Sequence, residues 1–272
     1  MARITPLWRS DAISLHRFDH PPEHEDRAYE AVADVFSASF VDRGSFDLQS
    51  SSGSWRLGRG DVFLRHPGLR YRAGFEGDGF SDVCLTLTYL GAAEDRFDAA
   101  RSWARAGRPV MRANNRLRYL QWGLQRALDE VSPMFIEYCA VELFRPHGEM
   151  PSARFRESKF AWYAERIRAA QARLDAEFDR GHSVFDLARS VGMSMFHFAR
   201  TFTELVGRPP HRYLTEVRLR AAHGMLQQGR SVTETCFACG FGNLSHFTRR
   251  FSRHYGIAPS EVGGRKFARK CK

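Results

Sequence analysis

The sequence predicts an α+β multidomain protein: a small antiparallel β-barrel or sandwich with two helices, followed by an all-helical module. Three observations carry this prediction. Short β-rich segments between glycine and proline turns fill the first ninety residues, apolar positions recur at helical spacing from Asn115, and one helical pattern is written twice between Ser183 and Pro259. At 272 residues, 43% of them hydrophobic and 26% charged, the chain is long enough for two domains, each with its own core.

The β segments come first. Val32 to Val41 is mostly apolar and partly alternating, Gly44-Ser-Phe-Asp-Leu follows a tight Asp42-Arg43-Gly44 turn, and Gly58-Arg-Gly-Asp-Val-Phe-Leu leads into Pro67-Gly68. Ser81 to Leu90 is a further strand. The texture then changes. Leu117, Leu120, Leu124, Leu128 and Val131 mark one face of a helix from Asn115 to Val131, and Met134 to Phe144 forms a second apolar helix after Ser132-Pro133. The pair either covers an open face of the barrel or forms a seam with another subunit. The polar stretch Pro146 to Ser158 is read as linker. Domain bounds are set at 1–150, a linker at 151–164, and 165–272.

In the last module, Ser183-Val184-x-x-Leu187-Ala188-x-x-Val191-Gly192 recurs 48 residues later as Ser231-Val232-x-x-Thr235-Cys236-x-x-Cys239-Gly240. After one inserted residue, His197-Phe198-x-Arg200-x-Phe202 matches His246-Phe247-x-Arg249-x-Phe251, Gly207 matches Gly256 and Pro210 matches Pro259. Each copy has the parts of a helix-turn-helix: a capped short helix, a glycine turn, and a second helix with an apolar inner face. Ser183 and Ser231 are natural N-caps for the first helices, Ser194 and Asn243 for the second. Pro210 to Gln228 reads as one linking helix with Leu214, Val217, Ala221 and Met225 on one side.

Charge is unevenly distributed. All of the net charge of +10 falls between Glu165 and Lys272, and the first 164 residues are balanced. That excess suits a module that neutralises phosphates and releases counterions, although a solvated basic surface is the blander reading. No apolar run approaches the roughly 20 residues of a membrane span, and no secretory signal opens the chain. Five irregularly placed cysteines make no disulfide framework, so a cytoplasmic protein is expected.

From Ser183 to Pro259, with Arg218-Leu219-x-x-Ala222 on the linking helix and Gly240-Phe241 followed by Phe247-x-x-x-Phe251 and Gly256-x-x-Pro259, the chain resembles the AraC/XylS family of bacterial transcription regulators. The resemblance implies a seven-helix DNA-binding module, with Arg166 to Phe178 contributing its first helix. It also implies an N-terminal cupin-like domain for effector binding or dimerisation, an expectation that Gly44-Ser-Phe and Gly60-Asp-Val-Phe-Leu fit. Double-stranded promoter DNA is the implied partner, with a small-molecule effector, a second copy of the chain, and RNA polymerase in the case of an activator.

Groove-facing positions then fall on Phe196, Ala199 and Arg200 in the first recognition helix and on Ser245, His246 and Arg249 in the second. An arginine can bond guanine O6 and N7 together or hold a phosphate. His197, Thr201, Asn243, Thr248 and Arg250 are candidates for the DNA backbone. Val262-Gly263 departs from the aromatic-arginine ending frequent in the family.

Other signals are weighed against these. Cys236-Phe-Ala-Cys239 is a lone CxxC whose cysteines align with Ala188 and Val191, so both are expected in the core rather than on zinc. Cys84 and Cys139 are expected to be buried, and Cys271 lies in the tail. His16, His20, His24 and His66 lack a diagnostic metal spacing. The competing reading is a cupin-type metal-dependent enzyme fused to a DNA-binding module; the preferred one assigns no catalysis, metal or cofactor. Trp55, Phe63, Tyr71, Phe75 and Phe80 are candidates for an effector pocket or for simple core.

Overall fold

Strands in the first half alternate their two faces between two different cores. A computed structural model of the chain describes residues 3–20, 28–74, 82–90, 108–129, 133–145 and 155–262. Its strands are β1 (Arg3–Arg9), β2 (Ile13–His20), β3 (Ala28–Val32), β4 (Ser37–Arg43), β5 (Ser45–Ser50), β6 (Gly53–Gly58), β7 (Val62–Arg65), β8 (Arg70–Gly74), β9 (Asp82–Tyr89) and β10 (Val110–Met111). They form a six-stranded sheet, β1-β2-β9-β4-β7-β10, and a four-stranded sheet, β3-β8-β5-β6. All pairs are antiparallel.

On one face of the larger sheet, Ile13, Leu15, Ala38, Phe40, Val62, Leu64, Leu85 and Leu87 pack against two helices, α1 (Asn115–Asp129) and α2 (Pro133–Leu143). Tyr89 on β9 fastens this layer, its hydroxyl donating to the Ala140 carbonyl at 3.0 Å. The expected helix pair thus covers a sheet of its own chain. On the opposite face, Val41, Phe63 and Cys84 meet Phe46, Leu48, Leu57, Tyr71 and Ala73 of the smaller sheet. The period-2 alternation of a strand makes both cores from the same segments.

Two strand expectations need correction. The Val32–Val41 run is interrupted, because β3 ends at Val32 and β4 starts at Ser37; the intervening Ala33 backbone bonds instead with Leu69 and Gly68. Gly44, with φ of 79°, does not close a hairpin but carries the chain from the larger sheet to the smaller. Residues 3–20 form β1 and β2, ahead of Val32, where the first strand segment was named.

The chain divides into compact units between Phe155 and Arg156. Helix α3 (Glu157–Ala176) already occupies residues 157–164, which were expected as linker, and it starts nine residues before the predicted first helix at Arg166. Phe160, Ala164, Ile167, Ala170 and Leu174 form its buried stripe. There follow α4 (Val184–Ser190), α5 (Met195–Val206), α6 (Pro210–Gln227), α7 (Val232–Ala238) and α8 (Leu244–Tyr255), and residues 259–262 begin another helical turn. No described helix is long and apolar enough to cross a membrane.

Tyr213 on α6 is 1% exposed and donates its hydroxyl to both carboxylate oxygens of Asp175 on α3, at 2.9 and 3.0 Å. Tyr213→Phe is expected to lower the stability of this unit by about 1 kcal/mol, the worth of one bond to a charged acceptor that solvent partly screens. The loss is read as a fall in thermal midpoint with unchanged helical circular dichroism.

Candidate nucleic-acid interface

Each copy of the repeat folds into the same frame. In the first, Ser183 Oγ accepts the Asp186 N–H at 3.0 Å and so starts α4. Gly192 turns the chain with φ of 66°, and α5 ends at Gly207 with φ of 81°. In the second, Ser231 Oγ accepts the Glu234 N–H at 3.2 Å, Gly240 turns with φ of 73°, and α8 ends at Gly256 with φ of 71°. Asn243 Oδ1 caps α8 by accepting the His246 N–H at 2.9 Å. Ser194 occupies the matching N-cap position of α5, but its side chain accepts no bond from the helix.

The inner faces are aromatic. Phe198 and Phe202 are fully buried with ring centroids 5.6 Å apart, and Phe202 meets Tyr213 edge-on at 5.7 Å. Phe247 and Phe251 repeat the pair at 5.6 Å, with Phe241 tilted against Phe247 at 5.0 Å. Buried phenylalanines at a four-residue spacing fix the rotation of each helix about its axis, and hence the face it shows to solvent.

On those outward faces stand the predicted residues. Phe196 is 83% exposed, Arg200 and His197 are exposed, and Ala199 is half-buried. The His197 ring lies against Tyr163 of α3 at 5.2 Å, which holds it at the start of α5. On α8, Ser245, His246, Arg249 and Arg250 are exposed, as is Asn243 ahead of it, and Thr248 is half-buried. Arg250 Nε donates to His246 Nε2 at 3.3 Å. Thr201 departs from expectation. It is 2% exposed, on the core side of α5 with Phe198 and Phe202, and its hydroxyl cannot reach a phosphate in this arrangement.

The structure also gives Arg218 and Gly240, both part of the quoted motifs, a shared role that the sequence reading did not assign. Arg218 on α6 donates from Nε to the Phe178 carbonyl and from Nη2 to the Arg180 carbonyl, both at 2.7 Å, and its guanidinium lies 5.9 Å from the Phe241 ring. A Cβ built on Gly240 would come within 2.3 Å of the Asp179 carbonyl oxygen. The second turn is thereby pressed onto the backbone that follows α3. The same test at Gly192 finds nothing within 4 Å.

Cys236 and Cys239 are both fully buried in the core of the second copy. Burial pushes the Cys239 thiol up to about 11 and the Cys236 thiol in the same direction, and Cys239 Sγ sits 3.7 Å from Met225 Sδ. These are packed thiols. Cys84 and Cys139 are also buried, and Cys271 lies outside the described residues. Of the N-terminal histidines, His16 lies between the sheets and His66 bonds through Nδ1 to the Pro67 carbonyl oxygen; His24 and the side chain of His20 fall outside the description. Among the described residues no three His, Cys, Asp or Glu are grouped as a metal site. Trp55, Phe63 and Tyr71 meet between the sheets, whereas Phe75 and Phe80 are not described. Val262 is buried in the core of the second copy, 8% exposed, and Gly263 is not described.

Residues 187–265 match a family model described as a helix-turn-helix domain. The chain is 36% identical over 81 residues to the HTH-type transcriptional regulator Rv1931c of Mycobacterium tuberculosis, a match covering 29% of this chain and 31% of that one. It is 33% identical over 78 residues to the HTH-type transcriptional activator RhaS of Klebsiella pneumoniae, covering 28% of each. Among solved structures, a transcriptional regulator with an AraC-type DNA-binding domain from Chromobacterium violaceum aligns over 38% of this chain and 94% of its own, with 30% identity and a TM-score of 0.36. The chain thus matches about three-tenths of the length of these curated relatives. Residues 187–265 of the second unit carry a helix-turn-helix domain.

Proposed function

We propose that this chain is a sequence-specific transcription regulator that sets α5 and α8 into successive major-groove segments of promoter DNA. The observation that carries this reading is the placement of Arg200 and Arg249 at matching positions on two outward helix faces, each held by a fully buried phenylalanine pair. Phe196, Ala199, Ser245 and His246 complete the base-facing surface; His197, Asn243, Thr248 and Arg250 hold the sugar-phosphate backbone. The 18 residues of α6 span about 27 Å at the α-helical rise, a separation of the order of one turn of DNA. The net positive charge of this part of the chain supports the same reading.

The first unit is read as a cupin-like domain that controls the second by taking an effector or by pairing two copies, with RNA polymerase the further partner if promoters are activated. RhaS, one of the relatives, is named as an activator.

Selection of bound sites from random DNA with the purified full chain tests the proposal. A defined operator is expected, bound at least about a thousandfold more tightly than random DNA at one salt concentration. Equal affinity for both would mark an architectural DNA-binding protein and overturn the regulator reading. Deleting residues 1–155 is expected to leave the selected sequence unchanged.

A further inference from the structure

The inner face of the six-stranded sheet is polar at one end. Cross-strand register places Ser14, Thr88, Ser37 and Arg65 directly opposite one another on β2, β9, β4 and β7. The next row on the same face is His16, Thr86, Ser39 and Phe63. Phe63 belongs to the core between the sheets, so both rows face the smaller sheet.

Within this patch two donors have nothing to bond. Arg65 Nε is buried without a hydrogen-bond partner, and so is the hydroxyl of Ser37, which is 1% exposed and lies directly across from Arg65. Arg65 Nη2 donates to Ser39 Oγ at 3.0 Å, and Ser39 is in turn 2.8 Å from Thr86 Oγ1. No described carboxylate pairs with this guanidinium. Asp19 is engaged by Arg17 at 2.9 Å, and Asp42 accepts from Gln121 and Gln125. Arg65 as a whole is half-buried, but a buried N–H left unmet is costly unless something supplies the acceptor.

We propose that Arg65, with Ser37, binds the carboxylate of a small organic monocarboxylate, whose apolar body lies among Phe18, Tyr29, Phe63 and Tyr71. Arg65 Nε–H and Nη2 form a side-on fork that matches two carboxylate oxygens, and the Ser37 hydroxyl adds a third donor. One guanidinium balances one negative charge, while burial and the nearby Arg65 both favour the neutral form of His16. The aromatic and sulfur-bearing remainder of the inter-sheet core is suited to a hydrocarbon or aryl group. This rests on the reading of the first unit as an effector-binding domain and supplies the ligand class.

The test is calorimetric titration and thermal melting of the full chain with benzoate, phenylacetate and octanoate, each beside its primary amide. At least one acid is expected to bind and raise the melting temperature while its amide does not. Arg65→Gln is expected to weaken that binding about 10- to 100-fold, Ser37→Ala by a smaller factor, and the exposed Arg70→Gln on β8 not at all. Without ligand, Arg65→Gln is expected to melt no lower than the wild type, because it removes an unsatisfied buried donor. Failure of all three acids, equal binding of the amides, undiminished binding by Arg65→Gln, or a collapsed unliganded Arg65→Gln would each overturn the proposal. Operator binding by the unliganded wild type is measured alongside. Its absence both without ligand and with every acid would refute the regulator reading, whereas intact operator binding without carboxylate binding would refute the ligand class alone.

Discussion

Replacing Gly240 by alanine is expected to unfold the second helix-turn-helix, while Gly192→Ala at the matching position of the first copy is nearly tolerated. Both glycines have positive φ, so an alanine at either bears the left-handed penalty of about 1–2 kcal/mol. Only at Gly240 does the new methyl also strike backbone, 2.3 Å from the Asp179 oxygen and 2.8 Å from its carbonyl carbon, with Arg218 Nη2 3.0 Å away. Backbone cannot swing aside as a side-chain tip can, and Arg218 is tied to the Phe178 and Arg180 carbonyls. An overpacking term of about 1–3 kcal/mol therefore adds, for a total of about 2–5 kcal/mol at Gly240. Hydrogen exchange of the intact chain separates the two variants. Gly240→Ala should strip protection from α7 and α8 and leave the sheets untouched, and comparable losses in both variants would contradict the account.

That difference shows what the sequence could and could not convey. The repeat was legible because a helix-turn-helix needs particular residue types at particular spacings: caps at Ser183, Ser231 and Asn243, turn glycines, and phenylalanines four apart, all of which the structure places as read. Aligning the copies also located Cys236 and Cys239 in the core. Alignment fails where the copies pack against different neighbours. Gly192 and Gly240 are equivalent as letters, yet only one abuts the backbone that follows α3. Thr201 and Arg250 occupy the same place in the repeat, but Thr201 is turned into the core and Arg250 is exposed.

The start of α3 was missed because the first turn of a helix is polar and solvated. Glu157-Ser-Lys therefore reads as linker, although Phe160, Ala164, Ile167, Ala170 and Leu174 already keep helical spacing. The inner polar rows of the larger sheet are a harder case. Ser14, Ser37, Arg65 and Thr88 lie far apart in sequence, and only strand register brings them together.

Arg200→Ala and Arg249→Ala are each expected to weaken operator binding by about 1–3 kcal/mol and to relax preference at one base position per helix. Both residues are exposed, and neither side chain takes part in the buried packing that holds its helix, so melting behaviour should not change. The helices sit in separate frames, and the losses should be close to additive, with the double variant down by about 2–6 kcal/mol on the operator. Affinity for random DNA should fall far less, by the phosphate contribution alone, and the salt slope should decline by no more than about one unit per arginine. Arg250→Ala offers the contrast. As a backbone contact that also orders His246, it should weaken all sequences alike and leave the preferred bases unchanged. A double variant that keeps both the wild-type footprint and the wild-type base preference would remove Arg200 and Arg249 from the interface and with them the reason for placing α5 and α8 in the groove.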